Sequence, residues 1–302
     1  MPGYKSLEES AWVEKIEFFK NKFSPCNLCP NKCHARRGDG QKGACKAGKK
    51  VKVASFNLHH GEEPPISWKN GSGTIFFSGC TLSCLFCQNY PISQLYNGKY
   101  YSIEGLASLF LNLQRRGAHN INLVSPTPYL FHIIEALYYA NQRGLKIPIV
   151  YNTSGYELPG IVEGLKGIVD IYLPDLKYVS DETCTELSGG KEYFKNAYKS
   201  IEMMFNQVGR LRVGKNGIGY RGLIIRHLIL PGHIENSKMV LKAISTSIFR
   251  NSFLSLMSQY FPAYKALKNN DINRRIDIEE YNEVKEYAVS LGFKKGWFQD
   301  MD

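Results

Sequence analysis

The sequence predicts an α/β fold: a partial, TIM-like (β/α)6 barrel over residues 74–302, preceded by a helix and a small Cys-rich extension over residues 1–73. Three observations carry this expectation. From Thr74 onward, short apolar runs alternate with longer amphipathic stretches. Seven of the eight cysteines fall between Cys26 and Cys87. Between Cys26 and Val53 the composition is Gly, Lys, Arg and Cys with hardly any large apolar residue, so this segment cannot build a core of its own. An open doubly wound sheet would give the same alternation and remains an alternative.

Taken in order, residues 6–23 read as a surface helix. Ser6 and Glu9 have capping-box spacing, and Leu7, Val13, Ile16 and Phe19 recur at roughly helical intervals. The Cys-rich segment follows, then a loop over 59–73. The six expected strands are 74–78 (TIFFS), 120–124 (NINLV), 147–151 (IPIVY), 168–173 (IVDIYL), 223–230 (LIIRHLIL) and 253–257 (FLSLM). The helices lie near 102–116, 129–143, 158–166, 193–208, 236–249 and 278–291, and no tandem repeat or low-complexity tract interrupts them. In such an arrangement functional residues belong at the C-terminal ends of the strands.

At 302 residues with 43% hydrophobic and 22% charged content, the chain lies outside the disordered class and needs no disulfide scaffold. It has no apolar run approaching the ~18 residues of a membrane span. The start MPGYKSLEES lacks the features of a secretory signal, so reduced cysteines and a cytoplasmic location are expected. The formal charge is +11, and the stretch from Cys26 to Val53 contributes eight Lys and Arg against Asp39 alone.

Cys80, Cys84 and Cys87 form a C-x3-C-x2-C run directly after the first strand. Three close thiolates on a loop can converge on a soft metal or an iron–sulfur cluster. The run SGCTLSCLFCQN, with Phe86 before the last Cys, resembles the signature of the radical S-adenosylmethionine (radical SAM) enzymes. Together with YNTSGY (151–156), LPDLKY (173–178) and IIRHLILPG (224–232), it resembles the pyruvate formate-lyase activating enzyme family and relatives with an N-terminal Cys motif, over residues 26–298.

That resemblance implies a 4Fe-4S cluster on Cys80, Cys84 and Cys87, with S-adenosylmethionine chelated to its open iron. One-electron reduction then yields a 5′-deoxyadenosyl radical that takes a hydrogen atom from substrate. It further implies cofactor contacts at Thr127, Asn152, Thr153, Ser154, Asp175, Lys177, Arg226, Gln259 and Tyr260. A monovalent cation near Asn152, Thr153 and Asp175 is part of the pattern, although Asn152 replaces an expected Asp. Ser125-Pro126-Thr127-Pro128 stands where family members have Gly-Gly-Glu, so a rigid turn is the alternative for Thr127. The alternative for Lys177 is a strand-end salt bridge with Asp175. Only one of Arg226 and His227 can face the lumen, and the family pattern favours Arg226. His227 is expected in the core.

The implied partners are an electron donor such as flavodoxin or ferredoxin and a glycyl radical enzyme. Modification of another peptide, a metabolite or an RNA is the alternative within the class. A zinc-containing nucleic-acid- or protein-binding module is the non-enzyme alternative, motivated by Arg210, Arg212, Lys215, Arg221 and Arg226. A membrane partner is not expected, and nucleic acid is disfavoured.

Cys26, Cys29, Cys33 and Cys45 make a second set of four thiols, which suits a structural zinc or a second iron–sulfur cluster, with thiols that bind nothing as the remaining alternative. His34 reads first as a coincidental exposed histidine and only second as a substitute ligand. His59, His60, Glu62 and Glu63 carry ligand chemistry but no helical His–Glu spacing. They read as a surface loop or a lid over substrate. Cys184 reads as a small buried residue.

Overall fold

The computed structural model describes residues 1–301. Seven strands run parallel in one sheet: β2 (Ser72–Phe77), β4 (Ile121–Val124), β5 (Ile149–Thr153), β6 (Ile171–Pro174), β8 (Gly219–Leu228), β9 (Phe253–Met257) and β10 (Gly296–Phe298). They neighbour one another in chain order. A doubly wound sheet reverses its strand order at a switch point, whereas this order never reverses, so the expected alternative is excluded. The sheet is an open, barrel-type layer that does not close on itself.

The connections are α4 (Ile103–Arg115), α5 (Leu130–Gln142), α6 (Pro159–Gly164), α8 (Tyr193–Val208), α9 (Ile234–Ser245) and α10 (Ile278–Ser290). Ser102 caps α4 by accepting from the Gly105 amide at 3.0 Å, and Asp277 with Glu280 makes a capping box on α10. Pro148 explains why β5 begins two residues later than the apolar run suggests, since a proline has no N–H for the ladder.

The N-terminal region departs from the expectation in two ways. Strand β1 (Val51–His59) pairs antiparallel with β2 and carries β3 (Lys99–Tyr101) on its far edge, so it belongs to the main sheet rather than to an appendage ending at 73. Helix α1 (Glu9–Phe23) starts three residues later than expected, with no side-chain cap on its first turn. Ser6 instead donates to the Gly3 carbonyl within a preceding 3-10 turn, so the expected capping box does not form. Helix α1 buries Trp12, Phe19 and Phe23, and Trp12 meets Tyr138 of α5 at 5.7 Å between ring centroids. All eight cysteines are free, and among the described residues no helix is long and apolar enough to cross a membrane.

Candidate cofactor site

The loop after β2 carries Cys80, Cys84 and Cys87 into helix α3 (Tyr90–Ser93). Gly79 makes the exit turn at φ +89°, where a Cβ would collide with the Cys45 carbonyl. The three cysteines line a cavity of about 160 Å³. Its opposite wall comes from successive strand ends: Asn152, Thr153 and Ser154 at the end of β5, Asp175 and Lys177 after β6, and Arg226 on β8. Parallel pairing sets this convergence, because Val124 registers with Asn152, Thr153 with Pro174, and Asp175 bridges to Arg226.

Burial pushes the Cys80 thiol up to about 12 and raises that of Cys84, where the Lys177 ammonium pulls the other way. Ser188 Oγ donates to Cys84 Sγ at 3.0 Å, and Ser93 Oγ lies 3.1 Å from Cys87 Sγ. Burial thus disfavours the free thiolates of Cys80 and Cys84, and hydroxyls stand beside Cys84 and Cys87 to support bound sulfur. Among the described residues no three His, Cys, Asp or Glu side chains already stand at ligand distance of one ion, so volume is the guide at Cys80, Cys84 and Cys87. A cavity many times the volume needed for one water is suited to a cluster instead.

Arg226 donates from Nε to Asp175 Oδ1 at 2.8 Å and from Nη2 to Asn152 Oδ1 at 2.6 Å, and its Nη1 lies 3.7 Å from Glu62 Oε2. Lys177 Nζ lies 2.6 Å from Asp175 Oδ2. Burial disfavours the Asp175 carboxylate, yet the Arg226 and Lys177 charges outweigh it and hold the carboxyl below its ordinary range. Lys177 is held above its ordinary range by Asp175, against the effect of burial. The strand-end pair weighed for Lys177 is thus the arrangement found. Asp175 and Asn152, expected beside a monovalent cation, are each engaged with side-chain cations.

His227 faces away from the lumen, with Nδ1 2.7 Å from the Leu176 carbonyl and Nε2 2.9 Å from Ser237 Oγ, and burial lowers its pKa to about 4. It is a neutral core histidine, as expected.

Three hydroxyls among the expected cofactor contacts are engaged elsewhere. Thr127 Oγ1 donates to Glu157 at 2.5 Å and lies 3.1 Å from the Tyr151 hydroxyl. It sits beside the N-terminal cysteines rather than on the cluster cavity, because the buried Glu157 carboxylate draws it inward. Tyr260 is fully buried against Phe86 and donates to the Ile272 carbonyl at 2.5 Å, so its hydroxyl is turned into the core. Thr153 lines the cavity, but its hydroxyl is bound to Glu157 at 2.5 Å. Gln259 does line adjoining lobes, and its carbonyl accepts from Gln88 Nε2 at 2.9 Å.

The HHGEE segment is not a surface loop. Glu63 is 2% exposed, and the Glu62 side chain is 8% exposed. With His59, both acids line a lobe of about 280 Å³ that shares Asn89, Val124, Asn152 and Arg226 with the cluster cavity. Burial, countered in part by Arg226, raises Glu62 to about 7. Sequence reasoning missed Asn89 and Trp297 in this lobe and Glu157 behind the strand ends. Asn89 stands two residues beyond Cys87, which is the one local signal that could have found it.

The model of the radical SAM superfamily matches residues 74–228, just over half of the chain. The chain belongs to the radical SAM superfamily. An uncharacterized protein of Methanocaldococcus jannaschii is 33% identical over 284 residues, covering 91% of this chain and 77% of that relative. The pyruvate formate-lyase-activating enzyme of Clostridium pasteurianum is 26% identical over 174 residues, covering 56% of this chain and 66% of that enzyme. The structure of Streptococcus suis SuiB bound to S-adenosylmethionine is similar at 14% identity and a TM-score of 0.49. The match covers 74% of this chain but only 48% of SuiB. Radical SAM membership implies a 4Fe-4S cluster and S-adenosylmethionine. The thiol triplet and its donors fit the first, and the paired charges of Asp175, Lys177 and Arg226 fit the amino and carboxylate groups of the second.

Proposed function

We propose that this radical SAM enzyme takes a hydrogen atom from a backbone glycine of a partner protein, as a glycyl-radical-enzyme activase. One observation carries the reading. The lobe beside the cluster cavity is walled by hydrogen-bonding groups, and in it the buried Glu63 Oε2 has no partner. Beside it Glu62, a second acidic wall residue, accepts from Asn122 at 2.9 Å. Buried acceptors on this wall favour a ligand rich in N–H donors, such as an extended peptide backbone. Similarity to the Clostridium pasteurianum activating enzyme supports the choice of glycine.

When bound, the cluster and S-adenosylmethionine supply a 5′-deoxyadenosyl radical. The protein's own part is positional. Lys177 and Arg226 present positive charge on one wall, and Asp175 presents negative charge between them, which orients a zwitterion. Met257, Trp297 and Phe76 make the lobe's apolar surface and limit water. The reading carries with it a cytoplasmic one-electron donor of the flavodoxin or ferredoxin type.

Modification of another peptide or of an amine-bearing metabolite would use the same acceptors and is the second reading. RNA is less suited, because Glu62 and Glu63 oppose phosphate. The basic residues 210–226 are also dispersed: Arg226 faces the lumen and Arg221 donates to the Gln207 carbonyl at 2.7 Å. The test is electron paramagnetic resonance after anaerobic mixing of reconstituted enzyme, reductant and candidate partners. A glycyl doublet on a partner is expected. Formation of 5′-deoxyadenosine with a mass change on a different peptide or metabolite, and no doublet, would replace this reading with the second.

A further inference from the structure

The N-terminal segment contains a buried charge that no acid among the described residues neutralises. Arg37 is fully buried. Its guanidinium donates to the Gly48 carbonyl at 3.1 and 2.9 Å and to the Pro128 carbonyl at 2.5 Å, and stacks 4.4 Å from the Phe23 ring centroid. The remaining polar neighbour is Cys26 Sγ at 4.0 Å. Carbonyls and a ring face solvate a cation but do not neutralise it, and a buried charge without a counter-ion is costly.

The four N-terminal cysteines surround one gap beside this guanidinium, closed on the far side by Thr81, Thr127 and Pro128. Gly43 lets two of them approach: a Cβ there would stand 3.3 Å from Cys33 Sγ and 3.4 Å from Cys45 Sγ. The gap measures about 10 Å³, against about 160 Å³ at the Cys80–Cys84–Cys87 site. The smaller volume is that of roughly one water-sized body, which suits a single ion better than a four-iron cluster.

We propose that Cys26, Cys29, Cys33 and Cys45 hold a single zinc ion as a tetrathiolate, with Arg37 as its buried counter-ion. Four thiolates on a divalent zinc carry a net charge of about −2, of which the guanidinium offsets one unit. The thiols give up their protons on binding, and the ion draws them to ligand distance as it orders the segment. All four positions are protein sulfur, so the centre has no open site and is structural. Its place beside the cluster loop gives it a purpose. Asn31 Nδ2 donates to the Thr81 carbonyl at 2.7 Å, and the Cys45 carbonyl packs on Gly79. These contacts flank Cys80, so the zinc centre fixes the backbone on which the first cluster ligand stands.

The test uses the full chain with Cys80→Ala, Cys84→Ala and Cys87→Ala combined, which removes the cluster whatever the substrate. One zinc per chain with no acid-labile sulfide is expected, and Cys33→Ala added to this background should lose it. Cobalt in place of zinc should give the absorption of a tetrahedral tetrathiolate. Iron with sulfide in the triplet variant would overturn the assignment, as would no metal with all four thiols alkylated as fast as in urea. For the counter-ion, Arg37→Met should weaken zinc by about tenfold or more in chelator competition, with Arg37→Lys retaining part of the affinity. Unchanged affinity in a folded Arg37→Met chain, checked by circular dichroism, would overturn that half. Cluster activity enters none of these readouts, so a failure here leaves the radical SAM reading untouched.

Discussion

Arg226 and Asp175 form an ion pair between β8 and the end of β6, 2.8 Å from Nε to Oδ1, with side chains only 16% and 12% exposed. The same guanidinium faces Glu62, so it is the common partner of two carboxylates. Arg226→Met would leave both without it, and breaking a buried pair in this way costs about 3–5 kcal/mol. Arg226→Lys keeps the charge but loses the fork that reaches Asp175 and Asn152 together. Thermal denaturation at pH 7 should rank wild type above Lys above Met, and calorimetry should show weakened S-adenosylmethionine binding in both. A Met variant as stable as wild type would contradict the pairing.

Gly79 offers a cleaner probe of the cluster loop. An L side chain at φ +89° is strained by roughly 1–2 kcal/mol, before the collision of its Cβ with the Cys45 carbonyl is counted. Gly79→Ala must therefore push apart the loop and the N-terminal segment. The expected result is a folded chain with a lowered melting temperature and less iron after reconstitution, although all three ligand cysteines remain. Iron content equal to wild type would show that the loop tolerates the shift.

The strands of the parallel sheet were legible as short apolar runs because they are buried on both faces, and the helices because each buries one face. The placement of Arg226 against His227 followed from the two-residue repeat of β8. The short elements were not legible. Strand β10 is three residues long, and β1 alternates buried and exposed positions only in its first half. Its membership in the sheet depends on pairing with β2, a long-range contact with no local pattern. Glu62 and Glu63 looked solvated because charge next to two prolines usually marks a surface turn. Their burial follows from the open side of the barrel, which this segment fills. Thr127 and Thr153 looked like cofactor contacts because nothing in their neighbourhood announced that Glu157 would claim both hydroxyls.

Glu63→Gln keeps the size of the side chain and replaces its unpartnered Oε2 with a donor. A substrate N–H that met an acceptor would then meet another N–H. The reaction should lose coupling: the ratio of 5′-deoxyadenosine to modified substrate rises, and the substrate KM rises, while the iron content stays that of wild type. Mass spectrometry of product alongside chromatography of 5′-deoxyadenosine measures the ratio. An unaltered ratio would remove Glu63 from the substrate wall.

Glu157 gives the clearest pH signature. Burial raises its carboxyl from 4.5 to about 7, although hydroxyls of Thr127 and Thr153 donate to it and favour the charged form. Between pH 4.5 and 7 the folded chain then holds a proton that the unfolded chain has released. Stability must fall as pH rises through this window and level off above it, by on the order of 3 kcal/mol for this group. Glu62, also raised to about 7, adds a slope of the same sign. In Glu157→Gln the amide oxygen still accepts both hydroxyls but nothing titrates. Urea unfolding of the variant should show a shallower decline from pH 5 to 7 and, at pH 8, stability equal to or above that of wild type. A variant as steep as wild type would mean that Glu157 is ionised in the folded chain throughout, with both hydroxyl bonds charge-assisted.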